Sequence, residues 1–472
     1  MRKFGIILCG WMVTVGLWVS PALTQKKSVA EEILDILRAD NKISEQQYKD
    51  LMNKAKAENE AREAGVEAFR RDSVKDVKKS VDWLDRITLL GDLRVRHEGF
   101  FQARGPNGNT RNRERFRLRF GARMKISDEL EAGLRFVSGD PNDPISANQS
   151  FDNLFVKKPL SIDQIYITVT PGKSFGLDLP WSPLSITAGK FANPLFRPRA
   201  IMNSEMIWDD DLTPEGRHET FTLFNATDGL LRRFQVHAMQ WVVREAARSA
   251  DAWVLGGQAV ANMLLLPTTR LTLGIGDYFF AKNDLIAKER NTNASLKLTN
   301  SVVLNDGTIV PGGFPISPSK KDAKGNLIPI RRFLGGFHIL NAAAQLDFDT
   351  GYAQWPLALF VDFAHNMDAV GNNDNAIWAG ASLGVAKNPG DWAFSVAWGR
   401  VETDSVLSMF SYSDYGRDGG TNVQGPIVKI DYMLLPRLTI SAKNHFVSYI
   451  DRPVGQSNSI LNRFQLDAVL AF

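Results

Sequence analysis

The sequence has little cysteine, no long apolar run outside its first residues, and almost no net charge. Cys9 is the single cysteine among 472 residues, so we expect neither disulfides nor a cysteine-based zinc site. No stretch after Ser20 approaches the roughly 18 to 20 continuous apolar residues that a membrane helix needs. The formal net charge is only +4, from 56 basic and 52 acidic residues, which argues against a nucleic-acid partner.

The first residues have the composition of an export signal. Arg2 and Lys3 form a basic start, residues 4–20 are almost wholly apolar, and the small residues that follow suit cleavage. We therefore expect residues 1–24 to be a signal peptide, with a spanning helix as the alternative. Because Cys9 lies in this segment, the exported chain is expected to contain no cysteine.

Residues 25–85 have the pattern of helices. Ser44 and Gln47 have the spacing of a capping box at the start of a long helix rich in Lys and Glu. The apolar stripe of this helix is too thin to form a core, so we expect it to pair with copies of itself as a short coiled coil. A partly ordered linker is the alternative. We expect the segment to lie in the periplasm.

From residue 86 to 472 the sequence alternates between polar and apolar residues in sixteen segments of about ten to thirteen residues. The connections between them alternate between long and short, except that residues 171–183 are longer than a tight turn. Soluble up-and-down barrels share the alternation but rarely need sixteen strands. The pattern therefore predicts an all-β transmembrane barrel of about sixteen antiparallel strands, which satisfies every backbone group between strands and turns apolar side chains to lipid.

The stretch "RNRERFRLRF", residues 111–120, places arginine at alternate positions, with Phe and Leu between them. In a barrel the arginines face the water-filled lumen, and the neighbouring strands extend the basic wall. Unpaired arginines in such a wall would attract anions, whereas arginines neutralised by Glu98, Glu131 and loop carboxylates would mainly brace the barrel. We expect the wall to do both. The expected wall consists of Arg94, Arg96, Arg115, Arg117, Arg119, Arg123 and Arg135.

One long connection, "ANPLFRPRAIMNSEMIWDDDLTPEG" at residues 192–216, contains both charged and apolar side chains. Its apolar residues would be buried if the loop folded into the barrel, where it would narrow the channel. A calcium site at the three aspartates and an exposed acidic tip are the alternatives; we expect no metal, because consecutive aspartates cannot all point at one ion without an unusual turn. The expected constriction residues are Arg197, Arg199, Glu205, Asp209, Asp210, Asp211 and Glu215. The longest loop, residues 281–333, has no assignment beyond a hairpin or lid.

The last strand ends the chain on phenylalanine after an alternating segment. This ending resembles the recognition signal of bacterial outer-membrane proteins, so we expect the barrel-assembly machinery as a partner. The apolar face that would form this signal consists of Phe464, Leu466, Leu470 and Phe472.

Several motifs in this order resemble the bacterial putative porin family of outer-membrane barrels. They are "GDLRVRHEGF", "RERFRLRFGARM", "EAGLRFVSGDPNDPISANQSF", "DQIYITVTP", "ITAGKFANPLF" and "WDDDLTPEGRHETF". The resemblance implies an outer-membrane pore. A looser, architectural similarity to general porins implies the inward loop facing the arginine wall, and a homotrimer.

The expected function is passive diffusion of small hydrophilic solutes, with a channel selective for phosphate or another anion as the alternative. We expect no cofactor and no enzymatic activity, because the six histidines are scattered and none has a nucleophile or carboxylate at a recognisable spacing. Lipids of the outer membrane and the solutes themselves are the other expected partners.

Overall fold

The computed structural model describes residues 28–102, 110–177, 181–199, 202–247, 250–313, 316, 320–416, 419–452 and 460–472. The expected signal peptide, residues 1–24, lies outside the described residues. The chain divides into two compact units, Met1–Ile87 and Thr88–Phe472.

The first unit is helical. Helix α1 spans Val29–Ala39 and helix α2 spans Glu45–Val81. Both begin with a capping box: the Ser28 hydroxyl accepts from the Glu31 amide while the Glu31 carboxylate accepts from the Ser28 amide, and Ser44 and Gln47 do the same. The Tyr48 hydroxyl donates to Asp35, which holds the two helices together as a hairpin. In the described part of the chain, no helix is both long and apolar enough to span a membrane.

The second unit is a closed antiparallel barrel of sixteen strands. Its strands are β1 (Ile87–Gln102), β2 (Arg111–Lys125), β3 (Leu130–Ser138), β5 (Leu160–Val169), β6 (Leu184–Lys190), β7 (Glu215–Asn225), β8 (Leu231–Arg244), β9 (Ala252–Leu266), β10 (Thr269–Ala281), β14 (His338–Phe348), β15 (Leu357–Asn366), β16 (Asn375–Gly384), β17 (Trp392–Val401), β18 (Val423–Leu435), β19 (Leu438–Tyr449) and β20 (Leu461–Ala471). Each strand pairs with its neighbours in the chain, and β20 returns to β1 from Asp92↔Ala471 to Gln102↔Leu461. All sixteen predicted strands are present, with ends shifted by a few residues.

Short elements lie in the long loops. Strand β4 (Gln149–Ser150) pairs with β2. The loop between β10 and β14, for which the sequence indicated only a hairpin or lid, is folded. It contains helix α3 (Asn283–Glu289) and a small sheet in which β11 (Val302–Leu304) pairs with β12 (Ile309–Val310) and β13 (Ile330–Phe333).

Exposure alternates along the strands as a membrane barrel requires. On β1, Leu93 and Val95 are exposed while Arg96 is buried, and on β17 the outward Trp398 is exposed while the inward Ala397 is buried. Apolar side chains therefore cover the outside of the barrel, where lipid would contact them.

The inside of the barrel is partly apolar, whereas the water-filled lumen of a membrane barrel is usually lined by polar residues. On the loop side, inward positions of strands β8 to β18 carry buried apolar residues, among them Met239, Trp241, Val254, Tyr278, Phe280, Trp378, Val401 and Ile427. The β6–β7, β10–β14 and β17–β18 loops fold onto these residues and form one continuous apolar core with them. Polar residues line the opposite wall, on β1, β2 and β20.

Candidate pore constriction

The arginine wall consists of inward side chains from three adjacent strands, β20, β1 and β2. Arg96 donates to both carboxylate oxygens of Asp467, at 2.7 and 2.8 Å, and to Asp414 at 3.0 Å. Arg463 donates to Glu98 and, at 2.6 Å, to Asp414. These two guanidinium groups are almost completely buried, so each depends on the carboxylates that neutralise it.

A second cluster lies further along the same wall. Arg117 donates to Asp92 at 2.8 Å and to Asp211 at 3.5 Å, and Arg119 donates to Asp92 at 2.6 Å and lies 3.6 Å from Asp211. Asp92 is on β1, whereas Asp211 belongs to the β6–β7 loop. One loop carboxylate is thus attached to the arginine wall.

Arg94 and Arg115 are less well neutralised. Both bind Asn148, Arg94 at its side-chain oxygen and Arg115 at its carbonyl. The nearest carboxylate oxygen of each is 3.9 Å away, on Asp467 and Glu98 respectively. Within the described residues the Nε atoms of both arginines have no hydrogen-bond partner. The positive charges of these two side chains are therefore less closely neutralised than those of their neighbours.

The remaining predicted wall residues lie outside this cluster. Arg135 pairs with Asp163, and Arg123 is half-exposed and lies 3.7 Å from Glu131. In the cluster itself, which also includes Arg113 bound to Glu98, seven guanidinium groups face five carboxylates. They are Arg94, Arg96, Arg113, Arg115, Arg117, Arg119 and Arg463, with Asp92, Glu98, Asp211, Asp414 and Asp467.

The β6–β7 loop crosses the lumen. The amide of Phe196 donates to Gln258 on β9 at 2.7 Å, and the amide of Arg199 donates to Gln345 on β14. Ser204 donates to Asp362 on β15, nearly across the barrel from β6. The loop then returns to the arginine wall at Asp211.

Trp208 anchors this loop in the apolar core. Its side chain is 2% exposed, and its ring lies 5.3 Å from that of Trp241 and 5.5 Å from that of Tyr278. It also stacks on Phe280 and on Phe410 of the β17–β18 loop. The apolar residues of the loop are thus buried inside the barrel.

The β17–β18 loop is a second inward segment, which the sequence did not indicate. It joins the β6–β7 loop through three hydrogen bonds. The Asp209 amide donates to the Phe410 carbonyl, and the Tyr412 amide donates to the Glu205 carbonyl. The Ser413 amide donates to the Asp209 side chain. Its Asp414 reaches the arginine wall. The two loops together, rather than one, fill the part of the lumen that faces the arginines.

The predicted constriction residues have separate environments. Asp211 faces the arginine wall, Asp210 pairs with Arg197 and Asn203, and Asp209 lies in the joint between the two loops. Because the three aspartates have different partners, they do not converge on one calcium ion. The side chain of Arg199 is exposed.

The prediction for Glu215 was wrong. It is the first residue of β7 and shares the outer face of that strand with the exposed Phe221 and Leu223, where it pairs with Lys190 at 2.8 Å. The loop ends two residues earlier than predicted, at Pro214, and strand alternation turns the Glu215 side chain away from the lumen.

Asp209 is a buried and Glu205 a half-buried carboxyl group of the loop, outside the strands. Burial raises the pKa of Glu205 to about 8, reinforced by the negative charge of Asp210 and opposed by Lys443 and Arg197. Burial, together with Glu205 and Asp211, raises the pKa of Asp209 well above its usual value. At Asp211 burial acts in the same direction, but Arg117 and Arg119 outweigh it and lower the pKa.

We expect the channel to become more cation-preferring as pH rises from 7 to 9. Glu205 is mostly neutral below its pKa and gains a negative charge above it. The folded loop should also lose stability as the pH rises from 4.5, the ordinary pKa of a glutamate, to about 8, the pKa of Glu205 in the folded protein. In this range the carboxyl group is ionised in the unfolded chain but still protonated in the folded one. Reversal potentials under a salt gradient at pH 7 and 9 would measure the shift. Glu205→Gln should abolish this shift of the reversal potential, whereas Glu215→Gln, on the outer face, should leave it unchanged. If the Glu205 variant shifted as much as the wild-type protein, Glu205 would not be the titrating group.

Several residues of this site were not predicted. Asp92 and Asp467 lie on the inward faces of β1 and β20, so strand alternation could have indicated them. Asp414 and Asn148 lie in loops without periodicity, and nothing in the sequence places them beside the arginines.

A closed antiparallel barrel whose lumen is narrowed by inward loops is the architecture of a porin-type channel. The chain belongs to the putative porin family, whose sequence pattern matches residues 103–311 and 335–468. The family and the barrel indicate a channel in the outer membrane rather than an enzyme.

Solved structures of similar fold include OprB of Pseudomonas putida at high pH, at 13% sequence identity and a TM-score of 0.50, with 83% of this chain and 96% of that chain covered. Others are OmpF of Salmonella typhi in complex with daunomycin (9% identity, TM-score 0.45, 82% and 97% covered) and the outer-membrane channel DcaP of Acinetobacter baumannii (9%, 0.41, 82% and 97%). A search of curated proteins gave no significant match.

Proposed function

We propose that the protein is a water-filled outer-membrane channel for the passive diffusion of small hydrophilic solutes. The constriction would lie beside the points at which the two inward loops attach to the arginine wall. The observation that carries this proposal is the attachment of both loops to the wall, by Asp211 to Arg117 and by Asp414 to Arg96. A solute passing beside this attachment would meet paired guanidinium and carboxylate groups, which orient dipoles without binding one chemical group tightly.

The pairing of the wall favours general diffusion over strong anion selectivity. Most of its arginines have a carboxylate within hydrogen-bond distance, which leaves little free charge to bind an anion. The excess of guanidinium groups over carboxylates still favours a mild anion preference. An anion- or phosphate-selective channel is the second candidate, because Arg94 and Arg115 lack a close carboxylate.

The other parts of the chain complete this proposal. Residues 1–24 would direct export, and residues 25–85 would lie in the periplasm. The apolar side chains of Val29, Ile33 and Ile36 are exposed on α1, which supports pairing of this segment with copies of itself in a homotrimer. Phe472, paired through its backbone with Gly91, would complete the signal for the barrel-assembly machinery formed with Phe464, Leu466 and Leu470.

Conductance of the purified protein in planar bilayers tests the proposal. Ohmic steps with weak selectivity are expected, block by micromolar phosphate would favour the second candidate, and folded protein without conductance would exclude both.

Replacing Arg94 and Arg115 together by serine should move the reversal potential toward cations. These two side chains have no carboxylate within hydrogen-bond distance, so their loss changes the field in the constriction. Arg452→Ser, which removes one positive charge at an exposed position of the β19–β20 loop, is the control and should have much less than half the effect. An unchanged reversal potential in the double variant would show that the wall is neutral as a whole.

A further inference from the structure

Two histidines face each other on the inner side of the barrel, away from the arginine wall. The Nε2 atom of His218 on β7 lies 3.1 Å from the Nδ1 atom of His237 on β8. His218 is 2% exposed and His237 is 8% exposed. The two are 19 residues apart in the chain, so strand pairing brings them together and no metal-ligand spacing was visible in the sequence.

A hydrogen bond alone does not satisfy this pair of imidazoles well. The hydroxyl of Thr220 also lies 3.1 Å from the Nδ1 atom of His237, so two groups compete for that nitrogen. The second ring nitrogen of His218, Nδ1, is buried and has no hydrogen-bond partner among the described residues. The partner of one ring nitrogen normally decides whether the other carries the proton. Because His218 has no such partner, its Nε2 can present a lone pair to a cation.

A thioether lies beside the two imidazoles. Met239 is the register partner of His218 and is two residues from His237 on β8, so all three side chains lie on the inner face of the sheet. Directly opposed residues of an antiparallel pair have Cβ atoms about 4.5–5.5 Å apart, a distance that a methionine side chain can span. We call His218, His237 and Met239 the His–Met cluster.

The His–Met cluster lies at the boundary between the apolar core and the polar part of the lumen. On the loop side the rings of Trp241 and Phe191 have centroids 6.4 and 6.3 Å from that of His218. On the other side the next inward residues include Thr222 and Gln235, which are joined by a hydrogen bond from the Gln235 amide. An ion at the cluster would therefore have polar side chains along its approach from the lumen and apolar side chains behind it.

The chemistry of the ligands selects the kind of ion. Imidazole nitrogen suits copper, zinc and nickel, whereas a thioether sulfur is a soft ligand that favours Cu(I). Among the described residues no group of three or more His, Cys, Asp or Glu side chains could hold a metal ion, so no carboxylate joins the two histidines. Removing an ion from water costs more for a divalent ion than for a monovalent one, and no anionic ligand offsets that cost here. These uncharged ligands therefore suit a soft, monovalent cation.

We propose that the His–Met cluster binds one Cu(I) ion through His218 Nε2, His237 Nδ1 and the sulfur of Met239. Imidazole nitrogens lie about 2.0–2.1 Å from a bound zinc ion, which places two of them about 3.3 Å apart at a tetrahedral angle. The 3.1 Å between the two nitrogens is close to this separation, so the rings need to move little. Cys9, the single cysteine, lies in the expected signal peptide, so no thiol of the exported chain competes for copper. The inference concerns binding and does not depend on conduction by the channel.

Competition with a chromophoric chelator tests the site. The purified, folded protein in detergent, kept anaerobic with ascorbate, should take one Cu(I) per chain from bicinchoninate. His218→Gln and His237→Gln should each weaken binding by more than the roughly 10–100-fold that the loss of an outer-shell partner costs. His97→Gln, on the outer face of β1, is the control and should bind as the wild type does. Absence of uptake by the wild type, or unchanged affinity in both cluster variants, would overturn the proposal.

Met239→Leu separates a copper site from a histidine pair that binds any transition metal. Leucine and methionine have similar volumes, so the barrel should keep its fold, which its unfolding temperature checks. The affinity for Cu(I) should fall severalfold, and the X-ray absorption spectrum of the bound copper should lose its sulfur neighbour. Zn²⁺ bound as tightly as Cu(I), or a wild-type copper spectrum without sulfur, would refute the proposal. Conductance is measured separately: copper binding without conductance refutes only the channel, and conductance without copper binding refutes only this site.

Discussion

Replacing Trp208 by alanine is expected to enlarge the channel. The indole ring lies in the centre of the apolar core within the lumen, against Trp241, Tyr278, Phe280 and Phe410. Removing a buried aromatic side chain costs about 3–5 kcal/mol. Because this ring holds the β6–β7 loop rather than the strands, most of the lost free energy should destabilise the position of this loop inside the lumen.

The size of this effect follows from the free energy. A loss of about 3 kcal/mol multiplies the population of the released loop by roughly a hundredfold, at about 1.4 kcal/mol for each factor of ten. Single-channel conductance should increase severalfold with more frequent transitions between levels. Trp398→Ala, which removes an outward tryptophan from β17, is the matched control and should keep the wild-type conductance. Identical conductance in the two variants would show that the loop does not narrow the pore.

The second large effect is expected from Asp414→Ala, which removes the carboxylate that the β17–β18 loop places against the arginine wall. Burial opposes ionisation of Asp414, but Arg463 and Arg96 outweigh it and lower its pKa well below the usual value. Without this carboxylate the two buried guanidinium groups lose one partner each. Breaking a buried ion pair in this way costs about 3–5 kcal/mol.

Two measurements would show this loss. The temperature at which the folded barrel unfolds in detergent should fall, and the reversal potential should move toward anions, because the same substitution removes a negative charge from the constriction. Asp128→Ala, at an exposed turn where the carboxylate pairs with Lys125, is the control and should change neither quantity. Unaltered thermal stability in Asp414→Ala would mean that Asp467 and Glu98 neutralise the arginines without the loop.

The strands and their orientation could be predicted because they depend on local periodicity. Arg115, Phe116, Arg117 and Leu118 alternate every residue, so pairing them in a sheet determines which side each one faces. The capping boxes at Ser28 and Ser44 are equally local, since their partners lie three residues away. The Glu215 prediction failed at a strand end, where a shift of one residue decides whether a side chain belongs to the loop or to the outer face.

The charge balance of the arginine wall could not be predicted in the same way. Arg96 binds Asp467 and Asp414, which lie more than three hundred residues away in the chain. The sequence shows five arginines within residues 111–120, but their neutralisation depends on which loops enter the barrel. The β17–β18 loop has neither a dominant charge nor a regular period, so nothing local distinguishes it from an exposed loop.

The sequence by itself determined a sixteen-strand membrane barrel with arginines turned inward, because alternation, chain length and loop lengths are properties of neighbouring residues. Only the tertiary structure decided that two loops meet in the lumen, that an apolar core built around Trp208 holds one of them, and that Asp211 and Asp414 reach the arginine wall. The physical reason is that these contacts join residues far apart in the chain, where burial and charge pairing, rather than local pattern, select the partners.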